Sequence, residues 1–184
     1  DTARFRRKPI DAFRQVLAPK GEKILVHASN FRKIKRVQDV VRIFAAVRAQ
    51  LPAKLMFVGD GPERSTAEEL SRELGVFDCV RFVGKQDQIE DILSIADLFL
   101  LTSEYESFGL AALEAMAAGV PVISTEAGGL GEINIDGQTG FACKVGDVES
   151  MSAHAIGLLS DEKKLKTFRD AADRKSTRLN SSHA

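Results

Sequence analysis

Six short apolar runs recur along the chain, separated by stretches with helical spacing, and this alternation constrains the fold more than any other feature. The runs are Lys23–Ala28 (KILVHA) and residues 54–58, 80–83, 98–101, 121–124 and 140–144. Between the first two, Val37–Gln50 sets Val37, Val40, Val41, Phe44 and Val47 on one face, the period of an amphipathic helix. Further helices are predicted from the Gly59-Asp60-Gly61-Pro62 turn through Leu74, over residues 88–95, 107–118, 148–159 and 162–172, and as a short piece after Gly128-Gly129. Strands of four to six residues alternating with helices indicate an α/β fold, a doubly wound, Rossmann-like parallel sheet. Ligands of such sheets bind beyond the carboxyl ends of the strands. The loops after strands, at residues 29–36, 59–62, 84–87, 102–109 and 125–131, are therefore expected to converge on one site.

Bulk properties narrow the function. The 26 basic and 26 acidic residues cancel, so net charge draws the chain to neither nucleic acid nor an anionic membrane, and any phosphate binding must be local. The apolar runs are too short to span a bilayer, and Arg4, Arg6, Arg7 and Lys8 leave no room for a signal-peptide core, so a cytoplasmic location is the expectation. Two distant cysteines and three scattered histidines form no metal or disulfide pattern, and no metal site is expected. At 184 residues with 44% apolar content, one well-formed domain is predicted. It is placed at residues 20–173, with 1–19 read as a linker from a preceding domain. Residues 174–184 lack periodicity and read as a non-native tail, although a native polar tail fits the same composition.

Glu106 and Glu114 stand eight residues apart across the start of a helix otherwise made of Phe, Leu, Ala and Met. Gly119 and Pro121 stop that helix. Apolar residues all round predict burial, and a buried carboxylate requires a hydrogen-bonding partner. Ligand hydroxyls would serve, and so would a structural Arg or Lys. The amides of Phe108, Gly109 and Leu110 fall where a helix has no internal acceptor and where its dipole favours anions. Hydroxyl-binding carboxylates beside phosphate-binding amides suggest a nucleotide-sugar site.

The combined motifs resemble the donor-binding C-terminal half of the family 4 retaining glycosyltransferases, which have the two-domain GT-B fold. The matching stretches are Val58-Gly-Asp-Gly-Pro-Glu63, Val80-Arg-Phe-Val-Gly84, Ala96-Asp-Leu-Phe-Leu100, Glu106-Ser-Phe-Gly-Leu through Glu114-Ala-Met-Ala-Ala-Gly-Val-Pro-Val122, Gly128-Gly129 and Asp136-Gly-Gln-Thr-Gly-Phe141. His27-Ala-Ser-Asn-Phe-Arg-Lys-Ile-Lys-Arg36 is similar to the members that glycosylate L-malate in bacillithiol biosynthesis; Ser29-Asn30 replaces the Gly-Arg pair of the broader family. Gly131 stands where relatives usually carry Pro, which is expected to loosen that turn without removing a ligand contact.

The resemblance implies UDP-N-acetylglucosamine as donor, L-malate as acceptor and no metal; the absence of an Asp-x-Asp motif agrees. It implies that the acceptor hydroxyl attacks on the face from which the diphosphate leaves, a departing phosphate oxygen taking the proton. Lys35 and Asn30 would contact the diphosphate, and Lys35 and Glu106 would be the catalytic pair, with Glu106 near the sugar 3-hydroxyl. Glu114 would bind the ribose, the amides of Phe108, Gly109 and Leu110 the sugar and phosphate oxygens, and the backbone around Lys85 and Gln86 the uracil. The acceptor site would belong to a missing N-terminal domain.

Other readings compete. The basic run of Arg32, Lys33, Lys35 and Arg36 precedes a helix, where the dipole disfavours cations, so a purely solvated role fits it poorly. Asn30 could instead cap the following turn. Gly59 to Pro62 reads as a tight turn, His27 as a packed core residue and Cys143 as buried and inert. A nicotinamide-binding oxidoreductase would share the fold but needs Gly-x-Gly-x-x-Gly after the first strand, where this chain has Ser-Asn-Phe-Arg-Lys. A non-catalytic module that retains the donor site, or a transferase with another acceptor, would look the same in sequence.

Overall fold

The computed structural model describes residues 11–182. Six parallel strands form one sheet: β1 (Lys23–Ala28), β2 (Ala53–Val58), β3 (Val80–Gly84), β4 (Leu98–Leu101), β5 (Val122–Thr125) and β6 (Gly140–Cys143). Their order is β3-β2-β1-β4-β5-β6. The helices are α1 (Asp11–Leu17), α2 (Val37–Gln50), α3 (Arg64–Glu73), α4 (Ile89–Ile95), α5 (Leu110–Ala117), α6 (Leu130–Ile133), α7 (Val148–Leu159) and α8 (Glu162–Ser182), with single 3-10 turns at Lys33–Lys35 and Phe77–Cys79.

The strands are continuous apolar runs because both faces of the sheet are covered. Leu25, Leu55, Phe57, Leu98, Leu100 and Ile123 point into one core with Phe44 of α2 and Met151 and Leu158 of α7. Their neighbours Ile24, Val26, Met56, Phe99, Leu101 and Val122 point into a second core with Leu93 of α4 and Ala112, Ala115 and Met116 of α5. The period of two in the strands therefore maps directly onto two helix layers.

Strand order reverses between β1 and β4, which pair through Leu25 with Leu98 and Val26 with Phe99. The connections leaving these strands run on to opposite sides, toward β2 and β5, and the crevice where they part is where doubly wound sheets bind ligands. At the other end of the same strands, Asp97 is 2% exposed. It accepts from the amide of Ile24 (2.9 Å), from Arg14 of α1 (2.7 Å) and from Arg169 of α8. One carboxylate thus ties two helices to the sheet.

Two departures concern the chain ends. Residues 11–17, read as linker, form α1, whose Leu17 is buried in the second core. Residues 174–182, read as aperiodic, continue α8. Their inward positions are a buried Ser176 and a half-buried Leu179, so the helical period is carried by a hydroxyl residue that a hydrophobic pattern does not register. Residues 1–10 and 183–184 of those readings lie outside the described residues. Among the described residues no helix is long and apolar enough to cross a membrane.

Candidate functional site

The loop after β1 is held in an unusual backbone course. Phe31 (φ 46°) and Arg36 (φ 50°) are left-handed, which costs a non-glycine residue on the order of 1–3 kcal/mol and persists only when surroundings enforce it. For Phe31 the enforcement is burial. It is 1% exposed, edge-on to Phe57 at 5.5 Å, and its carbonyl accepts from the amide of Glu63 at 2.9 Å. Arg36 donates to buried Asp39 at 2.8 Å and to Glu104 at 3.3 Å. The hydroxyl of Thr102 lies 2.8 and 2.9 Å from the carbonyls of Lys35 and Arg36.

Beneath this loop His27 is fully buried. Its Nδ1 donates to the Leu100 carbonyl at 2.8 Å, so its Nε2 accepts from the Ser29 hydroxyl at 2.8 Å, and Ser29 Oγ accepts from the amide of Phe31 at 3.2 Å. Burial lowers its pKa to about 4, the Leu100 carbonyl opposes that shift, and nearby Lys35 adds to it. The imidazole is neutral and serves as a structural element, as the sequence reading held.

At the centre, Lys35 Nζ donates to Glu106 Oε1 at 2.5 Å. The two side chains are 19% and 14% exposed. Ser103 Oγ donates to the same carboxylate oxygen at 2.8 Å, and the Ser103 carbonyl accepts from Thr125 at 2.7 Å. The switch point accounts for the pairing: Lys35 follows β1, Glu106 follows β4, and those strands are neighbours.

The loops meet through main chain. A Cβ on Gly59 would lie 1.8 Å from the Ser29 carbonyl oxygen, and one on Gly128 would lie 2.0 Å from that of Glu106. Glycine is required at both places. The Glu106 carbonyl also accepts from the amide of Gly129 at 2.9 Å. Helix α5 then starts from Gly109 in left-handed conformation (φ 60°) with no side-chain cap, so its first-turn amides lack intrahelical acceptors.

One predicted feature is corrected. Helix α5 is not buried all round: Leu110 is 63% exposed and Phe108, just before the helix, is 84% exposed. Glu114 is half-buried, because it shares the outward stripe with Leu110 four residues earlier, while Ala112, Ala115 and Met116 face the sheet. An alanine-rich helix looks apolar on every side and hides which side packs. At Lys85 and Gln86 the expected base contact is main chain, and the Gln86 side chain turns back on its own loop. Its Nε2 donates to the Val83 carbonyl at 2.6 Å, and it lines a cavity of about 470 Å³ with Phe13, Leu17, Met56 and Ile92.

Of the remaining predicted residues, Asn30 is exposed on the β1 loop, and Arg32, not Asn30, occupies the N-cap of the 3-10 turn. Cys143 is buried, and burial pushes its thiol up to about 11, which keeps it from acting as a thiolate. Another cavity, of about 950 Å³, is lined by Gly119, Lys163, Lys166 and Asp173 and lies against the far end of α5, away from the loop cluster. Thr102 and Ser103 escaped the sequence reading. Their only signal was position: two small polar residues directly after a fully apolar strand. Among the described residues no three His, Cys, Asp or Glu side chains gather to hold a metal ion.

Comparison with known proteins adds the family. A family model described as "Glycosyl transferases group 1" matches residues 10–175. N-acetyl-alpha-D-glucosaminyl L-malate synthase of Bacillus anthracis is 54% identical over 142 residues, which cover 77% of this chain and 37% of that protein. The solved structure of Anabaena HepE in complex with UDP and glucose superposes with a TM-score of 0.87 at 26% identity, over 97% of this chain and 50% of that one. The C-terminal domain of a group 1 glycosyl transferase, LpcC of Francisella tularensis, superposes with a TM-score of 0.81 at 22% identity, over 97% of this chain and 96% of that one. This last likeness is one of fold alone. The chain therefore spans well under half the length of the curated relative it matches.

Proposed function

Because the chain belongs to the group 1 glycosyltransferases and has the fold of one GT-B half, we propose that it is the donor-binding half of a retaining enzyme moving N-acetylglucosamine from UDP-N-acetylglucosamine to L-malate. The observation that carries this reading is the Lys35–Glu106 pair lying across the β1/β4 crevice, beside the uncapped start of α5. A cation and a row of free amides suit a diphosphate. A carboxylate next to them suits a sugar hydroxyl.

In this reading Lys35 turns to the diphosphate and stabilises the charge that grows on it as the glycosidic bond breaks. The amides of Phe108, Gly109 and Leu110 assist without needing to reorient. One such donor is commonly worth about 3–4 kcal/mol of transition-state stabilisation. Glu106 accepts from a hydroxyl of the sugar, Glu114 from the ribose, and the main chain at Lys85 and Gln86 faces the base. Asn30, exposed on the β1 loop, would contact the diphosphate. The acceptor hydroxyl attacks from the side of the leaving diphosphate, which takes the proton; no metal is part of the scheme. The L-malate site lies in the part of the longer protein that this chain does not span, and that part would cover the apolar Tyr105, Phe108 and Leu110. The 54% identity to the malate synthase supports the choice of donor and acceptor.

Calorimetric titration of the chain with UDP-N-acetylglucosamine, against GDP-mannose and NAD, tests the reading. Selective uridine binding is expected, weakened by about 1–3 kcal/mol in Glu114→Ala, the cost of leaving ligand hydroxyls unpaired. The chain alone is expected to transfer no sugar to malate. Binding of GDP-mannose in preference to the uridine nucleotide, or transfer by the pure chain, would overturn it.

A further inference from the structure

We propose that Ser103 is the positioning residue for Glu106, keeping the carboxylate aimed into the crevice when Lys35 leaves it for the donor. This rests on the donor-site reading above. Lys35 and Ser103 both donate to Oε1 of Glu106, at 2.5 and 2.8 Å. Neither of those contacts uses Oε2, which is left to receive a sugar hydroxyl. A diphosphate, with more charge than one carboxylate, competes with Glu106 for the Lys35 ammonium. When it moves, a carboxylate 14% exposed loses its countercharge, and desolvation then penalises every orientation lacking a donor.

Ser103 is built to remain. It is fully buried, unlike Lys35, and its carbonyl is held by Thr125 of β5 at 2.7 Å. The preceding residue, Thr102, contacts the carbonyls of Lys35 and Arg36. The Thr102-Ser103 dipeptide accordingly addresses both halves of the ion pair: one residue holds the backbone that carries Lys35, the other holds the carboxylate itself. Lys35 can exchange partners without Glu106 being lost to solvent.

The test has one readout without ligand and one with. In chain labelled with carboxyl-carbon-13 glutamate, NMR relaxation reports how firmly Glu106 is held. In a Lys35→Ala background it is expected to stay ordered with Ser103 and to become mobile with Ser103→Ala. Equal order in both overturns the proposal. The ligand readout compares UDP with UDP-N-acetylglucosamine in otherwise wild-type chain. Ser103→Ala is expected to weaken the sugar nucleotide about tenfold, the loss typical of a hydrogen bond to a charged group, and UDP by less than about twofold. Equal weakening of both also overturns it, since that is what a loosened loop would do. Ser103→Thr, which keeps the hydroxyl, is expected to restore the discrimination. Ser103→Cys, nearly isosteric with a weaker donor, takes the place of the alanine variant if that one does not fold. If wild-type chain binds neither nucleotide, the donor reading fails, and the relaxation experiment alone decides the role of Ser103.

Discussion

Strand β4 carries a carboxylate at each end, and the molecule treats the two in opposite ways. Asp97, before the strand, uses both oxygens: Oδ2 receives Arg14 and the Ile24 amide, and Oδ1 receives Arg169. Its partners come from α1, β1 and α8, and it is 2% exposed. Glu106, after the strand, concentrates Lys35 and Ser103 on one oxygen. Lys35 also belongs to a loop held against its backbone preference at Phe31 and Arg36. A saturated carboxylate between rigid elements anchors the structure. One with a spare oxygen and a partner on a strained loop can exchange ligands. Burial differs between them, 2% against 14% exposed, but completeness of coordination is what assigns the roles.

Breaking the anchored end has the largest expected effect. Asp97→Ala should lower unfolding free energy by about 3–5 kcal/mol, the cost of removing one member of a buried charge network, as read by urea denaturation. Donor affinity of the molecules that remain folded should not change. A loss of affinity without a loss of stability would contradict the division between the ends.

Acid should act on the crevice end through His27. Its folded pKa lies near 4, below the ordinary 6.5, so the unfolded chain binds more protons between those values. Stability is thus complete above about pH 6.5 and lost as pH falls toward 4, by up to on the order of 3 kcal/mol. His27→Asn should flatten that part of the stability profile whatever its effect at neutral pH. An unchanged slope would place the titrating group elsewhere.

Next comes the exchangeable pair. Lys35→Ala should weaken UDP-N-acetylglucosamine by about 1.5–3 kcal/mol, the worth of a hydrogen bond to a charged group. Glu106→Gln should weaken the sugar nucleotide yet leave UDP at least as tightly bound, because Lys35 is released from its competitor. Calorimetry with both ligands checks the two signs. The smallest expected effect is at Phe108, 84% exposed: Phe108→Ala should move stability by less than about 0.5 kcal/mol, as surface substitutions do, measured by the same denaturation.

The fold was readable because strands buried on both faces are written as unbroken apolar runs. Lys23–Ala28, Val37–Gln50, Leu98–Leu101 and Val148–Leu159 form the elements expected of them, residue for residue. The meeting of Lys35 and Glu106, 71 residues apart, follows from the same alternation, because parallel winding forces the loops of β1 and β4 together at the reversal. What escaped was of another physical kind. Glu114 sits on a helix of alanines whose composition favours no face. Ser103 matters through a single hydroxyl, and short polar side chains after strands are too common to stand out. Periodicity reports which segments are buried; it is silent about where one flexible polar group points.

The glycines at 59 and 128 carry a consequence for descent. The loops around the crevice touch there by peptide against peptide, with no room for any side chain. Beyond the two glycines such contacts do not depend on side-chain identity, so the outline of the cleft can persist while the residues on its rim change. Positions such as Asn30 and Tyr105, exposed on that rim, can drift between lineages while the frame stays put. A scaffold divided in this way can change its substrates by point substitution, without first passing through a misfolded ancestor.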